Sequence, residues 1–280
     1  MNCPKISILI ANYNNGHFFK DCYDSLIAQT ELNWEAIVID DCSTDNSVEI
    51  IKNLIKEDVR FKFYVNEKNI GYQKTLIRGI ELSKSPIFAR LDPDDALTCD
   101  ALEESINAFN QNPKIGLVFS NYFICDENLN PIDVHYGKKV SFNNDFFNLD
   151  WSIGHFACFK NSIYKKTTGI DENNRRAEDQ DIYLKMVEIA PSFHINKTLY
   201  KYRRHLGGVS SFANSEKSFF WHWVAIIKAA ERRNINIENL FYENFYLNKN
   251  NKPEILINKL NKSKWIKLGK FLGLLKNSEL

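Results

Sequence analysis

Two hydrophobic periods alternate along the first 125 residues, and this alternation constrains the fold more than any other feature of the chain. Short β-rich runs lie at 6–10 (ISILI), 34–39 (WEAIVI), 61–65 (FKFYV), 86–91 (PIFARL) and 116–120 (GLVFS). Between them, apolar residues recur at helical spacing over about 17–29, 44–56, 72–83 and 100–110. Strand and helix alternating at this pitch imply βαβ units, hence an α/β fold with a mainly parallel sheet flanked by helices. Ser43 and Asp100 stand where helix N-caps are expected. Ligands of such sheets gather at the carboxyl ends of the strands, so the loops after strands are the first place to look for chemistry.

From about 126 to 210 the pattern loosens, with one clear helix over 178–189. Helical spacing then returns over 215–232, 237–247 and, after Pro253, 254–275. With 280 residues, 44% hydrophobic and 25% charged, the chain can bury a core of one to two domains, which excludes disorder and coiled coil. The net charge of +1 argues against a uniformly basic nucleic-acid binder. That sum hides an asymmetry, because residues 249–280 carry +6 and the preceding chain −5. Six scattered cysteines without CxxC spacing read as thiols of a reducing compartment. The first apolar run is five residues long and fits no signal peptide, and no stretch approaches the roughly 18 apolar residues of a membrane span.

Three acidic groups stand out: Asp40-Asp41 after the second strand, Asp92-Pro93-Asp94-Asp95 after the fourth, and Glu178-Asp179-Gln180-Asp181 at the start of the later helix. Taken singly, such groups form turns or helix caps. The second is denser: three carboxylates within four residues repel one another unless a cation neutralises them. Asp92 and Asp94, two apart in an extended turn, can converge on one hard divalent ion, Mg²⁺ or Mn²⁺, that also takes substrate phosphates. Phosphates must be held by metal and side chains, since the chain has neither GxxxxGK[ST] nor GxGxxG after the first strand. The loop Ala11-Asn12-Tyr13-Asn14 offers an aromatic ring and two amides, which suit a base and ribose better than a pyrophosphate.

The segments ISILIANYN, IVIDDCSTDNS, NIGYQKTLIRGI, ARLDPDDAL, GIDENNRRAEDQDIYLKM and YKYRRHLGGVSS, in that order, resemble the family 2 glycosyltransferases of GT-A fold. The resemblance covers about residues 5–211 and implies a single nucleotide-sugar-binding domain with a C-terminal helical extension. On it, residues 1–211 form the catalytic domain, with a nucleotide-binding half (1–125) and an acceptor-binding half (126–211), and 212–280 form the extension.

The resemblance also implies roles. Tyr13 and Asp41, beside Ala11, match positions at the nucleotide base, usually uracil. Asp92 and Asp94 match the DxD pair, with Asp94 the direct metal ligand, and Asp95 matches a residue lining the sugar side. Asp179 matches the catalytic base, with Glu178, Gly154 and His155 on the acceptor side. His205, and with it Arg203, falls near the diphosphate or metal. The family often has an Arg at Leu76 that holds the diphosphate. Lys74 or Arg78 is then the candidate replacement, though both read equally well as exposed helix charges.

The implied activity is metal-assisted, inverting transfer of a sugar from a nucleotide-diphosphate donor, a UDP-sugar, to a hydroxyl of a glycan or lipid-linked saccharide. The implied setting is cytoplasmic synthesis of bacterial lipopolysaccharide, capsule or related polysaccharide, with Mn²⁺ or Mg²⁺ as cofactor. A DxD phosphotransferase would want its acidic group after the first strand, a sugar nucleotidyltransferase a Gly-rich basic loop, and an inactive nucleotide-sugar-binding module would not need Asp94 and Asp179. Within 254–280, Trp265, Leu268, Phe271, Leu272 and Leu275 recur at helical spacing among lysines. Such a helix either lies on an anionic membrane surface, the inner face of the plasma membrane, or packs on the catalytic domain.

Overall fold

The protein is described by a computed structural model, which covers residues 3–205, 207 and 215–247. The chain divides into two compact units, residues 1–229 and 230–280. The expected helix over 254–275, with its basic tail, lies outside the described residues.

In the first unit the expected alternation is present as β1 (Ile6–Asn12), α1 (Phe19–Ile27), β2 (Trp34–Asp40), α2 (Ser47–Ile55), β3 (Phe61–Val65), α3 (Tyr72–Leu82), β4 (Ile87–Arg90), β5 (Ala96–Leu97) and α4 (Ala101–Gln111). The looser stretch holds β6 (Leu117–Cys125), β7 (Pro131–His135), β8 (Cys158–Lys160), α5 (Asn161–Tyr164), α6 (Glu178–Ile189) and β9 (Ser192–Arg203), followed by α7 (Ser215–Arg233). In the second unit the described residues continue as α8 (Glu238–Phe241) and a π-helical turn (Tyr242–Leu247), with Phe241 stacked on Phe245. No described helix is long and apolar enough to cross a membrane.

Among the described residues nine strands form one mixed sheet in the order β3-β2-β1-β4-β8-β6-β9-β5, with β7 pairing β6. Strands β3, β2, β1 and β4 are mutually parallel. Strand β8 enters antiparallel to both β4 and β6, and β9 then runs parallel to β6. The inserted β8 and the short β5 are what turn a parallel half-sheet into a mixed one.

Helices cover both faces, so β1 and β2 are buried along their whole length, and alternate residues serve two separate cores. Ile6, Ile8, Ile10 and Val38 pack with Phe19, Leu26, Leu102 and Tyr200 on one face. Leu9, Ile37 and Ile39 pack with Leu76, Ile80, Tyr183 and Met186 on the other. Asp100 occupies the N-cap position of α4, but Asn46, not Ser43, precedes α2. Ser43 instead ties two loops together, donating to Asp40 Oδ2 at 2.6 Å and accepting from the Asn14 amide at 2.9 Å. The six cysteines are free thiols.

Candidate functional site

The carboxyl ends of β1, β2 and β4 and the first turn of α6 face one region. The backbone there departs from ordinary conformations: Asn14, Cys42 and Ala177 have φ of 55°, 62° and 54°. Non-glycine residues held in the left-handed region mark loops over-determined by their surroundings.

Behind β1 and β2 the polar groups mostly serve the loops themselves. Ala11 is buried within β1, whereas Tyr13 projects outward with 47% of its surface exposed. Asp41, expected at the nucleotide base, is buried and hydrogen-bonded to the neighbouring loop. Its carboxylate accepts from Asn66 Nδ2 at 2.7 Å and from the backbone amides of Ile70 and Gly71 at 2.9 and 2.8 Å. Those three donors make it the clamp of the 66–71 loop, which Gly71 enters at φ 91°.

The DPDD turn after β4 separates its three carboxylates. Asp92 accepts from the Tyr72 hydroxyl at 2.7 Å and lies 3.6 Å from the Arg90 guanidinium. Asp94 meets His205 Nε2 at 2.8 Å, a pairing across the turn that local sequence does not predict. Burial and then the charge of Asp92 raise the Asp94 pKa. Asp95, expected on the sugar side, is 1% exposed and faces the interior. It accepts from Tyr200 Oη at 2.6 Å and from the Arg203 amide at 2.7 Å, and burial, reinforced by Asp94, pushes its pKa well above the usual carboxylate range.

Arg203, expected at the diphosphate, is also an interior strut. Its guanidinium donates to the Asp94 carbonyl at 2.5 Å, to the Glu127 carbonyl and to Asp21 at 2.6 Å, and it lies over the Phe18 ring at 4.5 Å. These partners hold it in the core, against the wall of the DPDD turn.

The second half of the site is a largely apolar cavity whose polar lining is Arg90, His155, Glu178 and Asp179, set among Leu76, Phe88, Phe159 and Tyr183. Glu178 and Asp179 open α6, where the helix dipole favours carboxylates. Arg90 Nη1 contacts Glu178 Oε1 at 2.8 Å. Burial and the neighbouring Asp179 charge push the Glu178 pKa up to about 7, against the opposing pull of Arg90. Asp179 forms no ion pair among the described residues and accepts the Gln180 amide at 2.7 Å. His155 is held neutral, its pKa pulled down to about 4 by burial and by the Arg90 charge, and it stacks on Tyr200. The preceding Gly154 lies so close to Tyr122 that a Cβ would meet the ring at 2.9 Å.

The two basic candidates for the role vacated at Leu76 lie elsewhere. Lys74 is half exposed and pairs with Glu172 at 3.5 Å, and Arg78 turns to Asn66 and the Tyr64 ring. The cation that faces this cavity is Arg90, with Tyr72 beside it, and neither was singled out in the sequence. The signal was the spacing Arg90-x-Asp92: two residues apart in an extended segment, they lie on one side.

The donor set suits a divalent cation only in part. Asp94 and His205 supply a carboxylate oxygen and an imidazole nitrogen already in contact. Asp92, the third expected ligand, is turned to Tyr72 and Arg90. Accordingly no group of three His, Cys, Asp or Glu side chains is gathered for a metal among the described residues. Oxygen and imidazole donors with one carboxylate still to be offset fit Mn²⁺ or Mg²⁺, with remaining positions left to water or phosphate oxygens.

The model of the "Glycosyl transferase family 2" family matches residues 7–168. Chondroitin synthase of Pasteurella multocida is 26% identical over 245 residues, which are 86% of this chain and 25% of that protein. Hyaluronan synthase of the same species is likewise 26% identical over 245 residues, 24% of its length. The chain thus spans about a quarter of these relatives. The putative teichuronic acid biosynthesis glycosyltransferase TuaG of Bacillus subtilis is 26% identical over 213 residues, 74% of this chain and 82% of that protein. Among solved structures, S. aureus TarS 1–349 in complex with UDP-GlcNAc superposes with TM-score 0.66 at 17% identity, over 79% of this chain and 65% of that one. The mannosyltransferase of Pyrobaculum calidifontis in complex with GDP-Man and Mn²⁺ does so with TM-score 0.62 at 15% identity, over 81% and 65%. At these identities the structural likeness establishes a shared GT-A fold.

Proposed function

The chain belongs to glycosyl transferase family 2, and on that premise we propose that it moves a sugar from a nucleotide-diphosphate donor, a UDP-sugar, to a hydroxyl of a glycan or lipid-linked saccharide with inversion. The observation that carries this reading is the shared cavity of Asp179, Glu178 and Arg90, with Arg90 in turn 3.6 Å from Asp92. A base and the donor-side turn therefore meet through one guanidinium. UDP-GlcNAc in the related TarS fold supports the donor class.

In the proposed reaction the acceptor oxygen forms a bond to the anomeric carbon as the bond from that carbon to the diphosphate oxygen breaks. Asp179 takes the acceptor proton, and the electron pair leaves with the nucleoside diphosphate. General-base help of this kind contributes about 10²–10⁴-fold. Glu178, held by Arg90, fixes the first turn of α6, and the neutral His155 shapes the acceptor side. Asp94 and His205 would hold a divalent cation, which when bound supplies electrostatic stabilisation of the departing diphosphate. Arg90 adds positive charge on the same side. Tyr13, exposed at the end of β1, is the ring available to a base.

The likeness to TuaG and to the chondroitin synthase supports a role in bacterial polysaccharide synthesis, and we assign lipopolysaccharide, capsule or related polymer assembly as the setting. On this reading residues 1–211 are catalytic and 212–280 an extension, whose basic 254–280 stretch either binds the inner face of the plasma membrane or packs on the catalytic domain. Incubating the full chain with a panel of nucleotide sugars and Mn²⁺ tests the assignment. Release of nucleoside diphosphate, accelerated by a glycan acceptor, is expected. Release of pyrophosphate would mark a nucleotidyltransferase instead, transfer of a phosphoryl group a phosphotransferase, and no turnover with intact binding an inactive module.

A further inference from the structure

One half-exposed aromatic ring near this site has no role in the reading above. Trp151 belongs to the turn 147–153, ahead of Gly154 and His155, and 47% of its surface is exposed. Its backbone sits at φ 57°, a region that bulky side chains seldom adopt. Single exposed apolar residues are ordinary. A strained one, displayed by a buried polar scaffold, is not.

That scaffold is fastened to the helix of the proposed base. Buried Asn148 accepts the Ile153 amide at 2.8 Å and donates to Gln180 Oε1 at 2.8 Å, while Gln180 Nε2 donates to the Phe147 carbonyl at 2.9 Å. Gln180 directly follows Asp179, so these bonds tie the turn to the first turn of α6. The Trp151 amide closes onto the Asn148 carbonyl, and its own carbonyl meets His135 Nε2 at 2.9 Å.

The indole is supported from one side. It stacks on His222 with ring centroids 4.3 Å apart and planes 29° from parallel. His222 is buried, and burial pulls its pKa down to about 4, so the supporting ring is neutral. One face of the indole is thus covered, while 47% of the residue's surface remains open to solvent. A fixed flat apolar surface with a negative π face complements the C–H-bearing face of a pyranose ring, whose hydrogens are weakly positive.

We propose that Trp151 is a stacking platform for a pyranose ring of the acceptor glycan, held in register with Asp179 by the Asn148–Gln180 pairing. The inference rests on the glycosyltransferase reading, and it adds an acceptor subsite outside the motifs that carry that reading.

The test uses the full chain and defined sugars: chondroitin and hyaluronan tetrasaccharides and the methyl β-glycosides of glucose and N-acetylglucosamine. Binding is followed by saturation-transfer NMR, with UDP and UDP-GlcNAc titrated separately by calorimetry. Saturation is expected on the C–H protons of one sugar face, and Trp151→Ala should weaken that sugar about tenfold or more, the loss typical of a truncated aromatic anchor. Trp151→Gly should do the same while relieving the positive φ, which removes misfolding as an explanation. Trp151→Phe should retain much of the affinity. If no sugar of the set shows transfer, or if the Ala and Gly variants bind like wild type, the platform is wrong. Nucleotide binding separates the two levels: Trp151-dependent sugar binding without UDP-sugar binding would overturn the transferase reading and leave a glycan-binding surface, while UDP-sugar binding with Trp151 silent would overturn the platform alone.

Discussion

Arg90 Nη1 lies 2.8 Å from Glu178 Oε1, joining the last residue of β4 to the first residue of α6 across 88 positions of sequence. Arg90 is thereby the link between the DPDD turn and the helix that presents Asp179. Arg90→Gln should lower kcat/KM by more than tenfold, about 1.4 kcal/mol or above in transition-state stabilisation. Both KM for the donor and kcat should suffer. Unchanged steady-state kinetics would show that the guanidinium serves only the fold.

Asp179→Asn keeps the size of the side chain and removes the proposed base. Transfer should fall by about 10²–10⁴-fold, the usual share of a general base, while calorimetry shows donor affinity near wild type. Near-normal turnover would take Asp179 out of the role.

The Asp94–His205 contact leads to a metal prediction. Asp94→Ala should abolish the Mn²⁺ dependence of UDP binding, and His205→Ala should weaken it. Titration of each variant with UDP, with Mn²⁺ present or chelated, reads the effect directly. Equal affinities with and without metal in the wild type would dismiss the site.

Arg203 and Asp95 are expected to matter for stability. Removing the Arg203 guanidinium takes a donor from the Asp94 and Glu127 carbonyls and from Asp21 and uncovers the Phe18 ring, so Arg203→Ala should cost about 1–3 kcal/mol in urea unfolding. A diphosphate ligand would behave in the opposite way, losing donor affinity with little change in unfolding.

Glu178 gives a pH signature. Its folded pKa is raised to about 7 from an ordinary value of 4.5. The folded state therefore binds a proton that the unfolded state has released between those values. This contribution to stability is fully present below about 4.5 and is lost as pH rises through about 7. Glu178→Gln cannot titrate, so its melting temperature relative to wild type should rise between pH 5 and pH 8. A constant difference would mean that Glu178 ionises normally.

Much of this was written locally in the chain. Short β-rich runs and helical spacing located β1 to β4, α1 to α4 and α6, because strands covered on both faces read as nearly continuous apolar runs while a helix shows the one side that meets a core. The acidic groups were visible for a similar reason: Asp92, Asp94 and Asp179 sit at element ends, where short polar residues stop one period and start another.

What tertiary structure decided was direction and partnership. Adjacent Asp94 and Asp95 read alike in sequence, yet one meets His205 at the site and the other is drawn inward by Tyr200 and Arg203. Asp41 reads in sequence as a contact for a base, and the fold also makes it a clamp on the 66–71 loop, through Asn66 and the backbone amides of Ile70 and Gly71. Arg90 looked like an ordinary strand residue until α6 brought Glu178 to it, and Trp151 lay in a stretch without periodicity. A carboxylate, a guanidinium or an indole can be predicted as chemistry from the chain alone. Which groups it faces depends on contacts between residues about a hundred positions apart, and those exist only once the sheet has assembled.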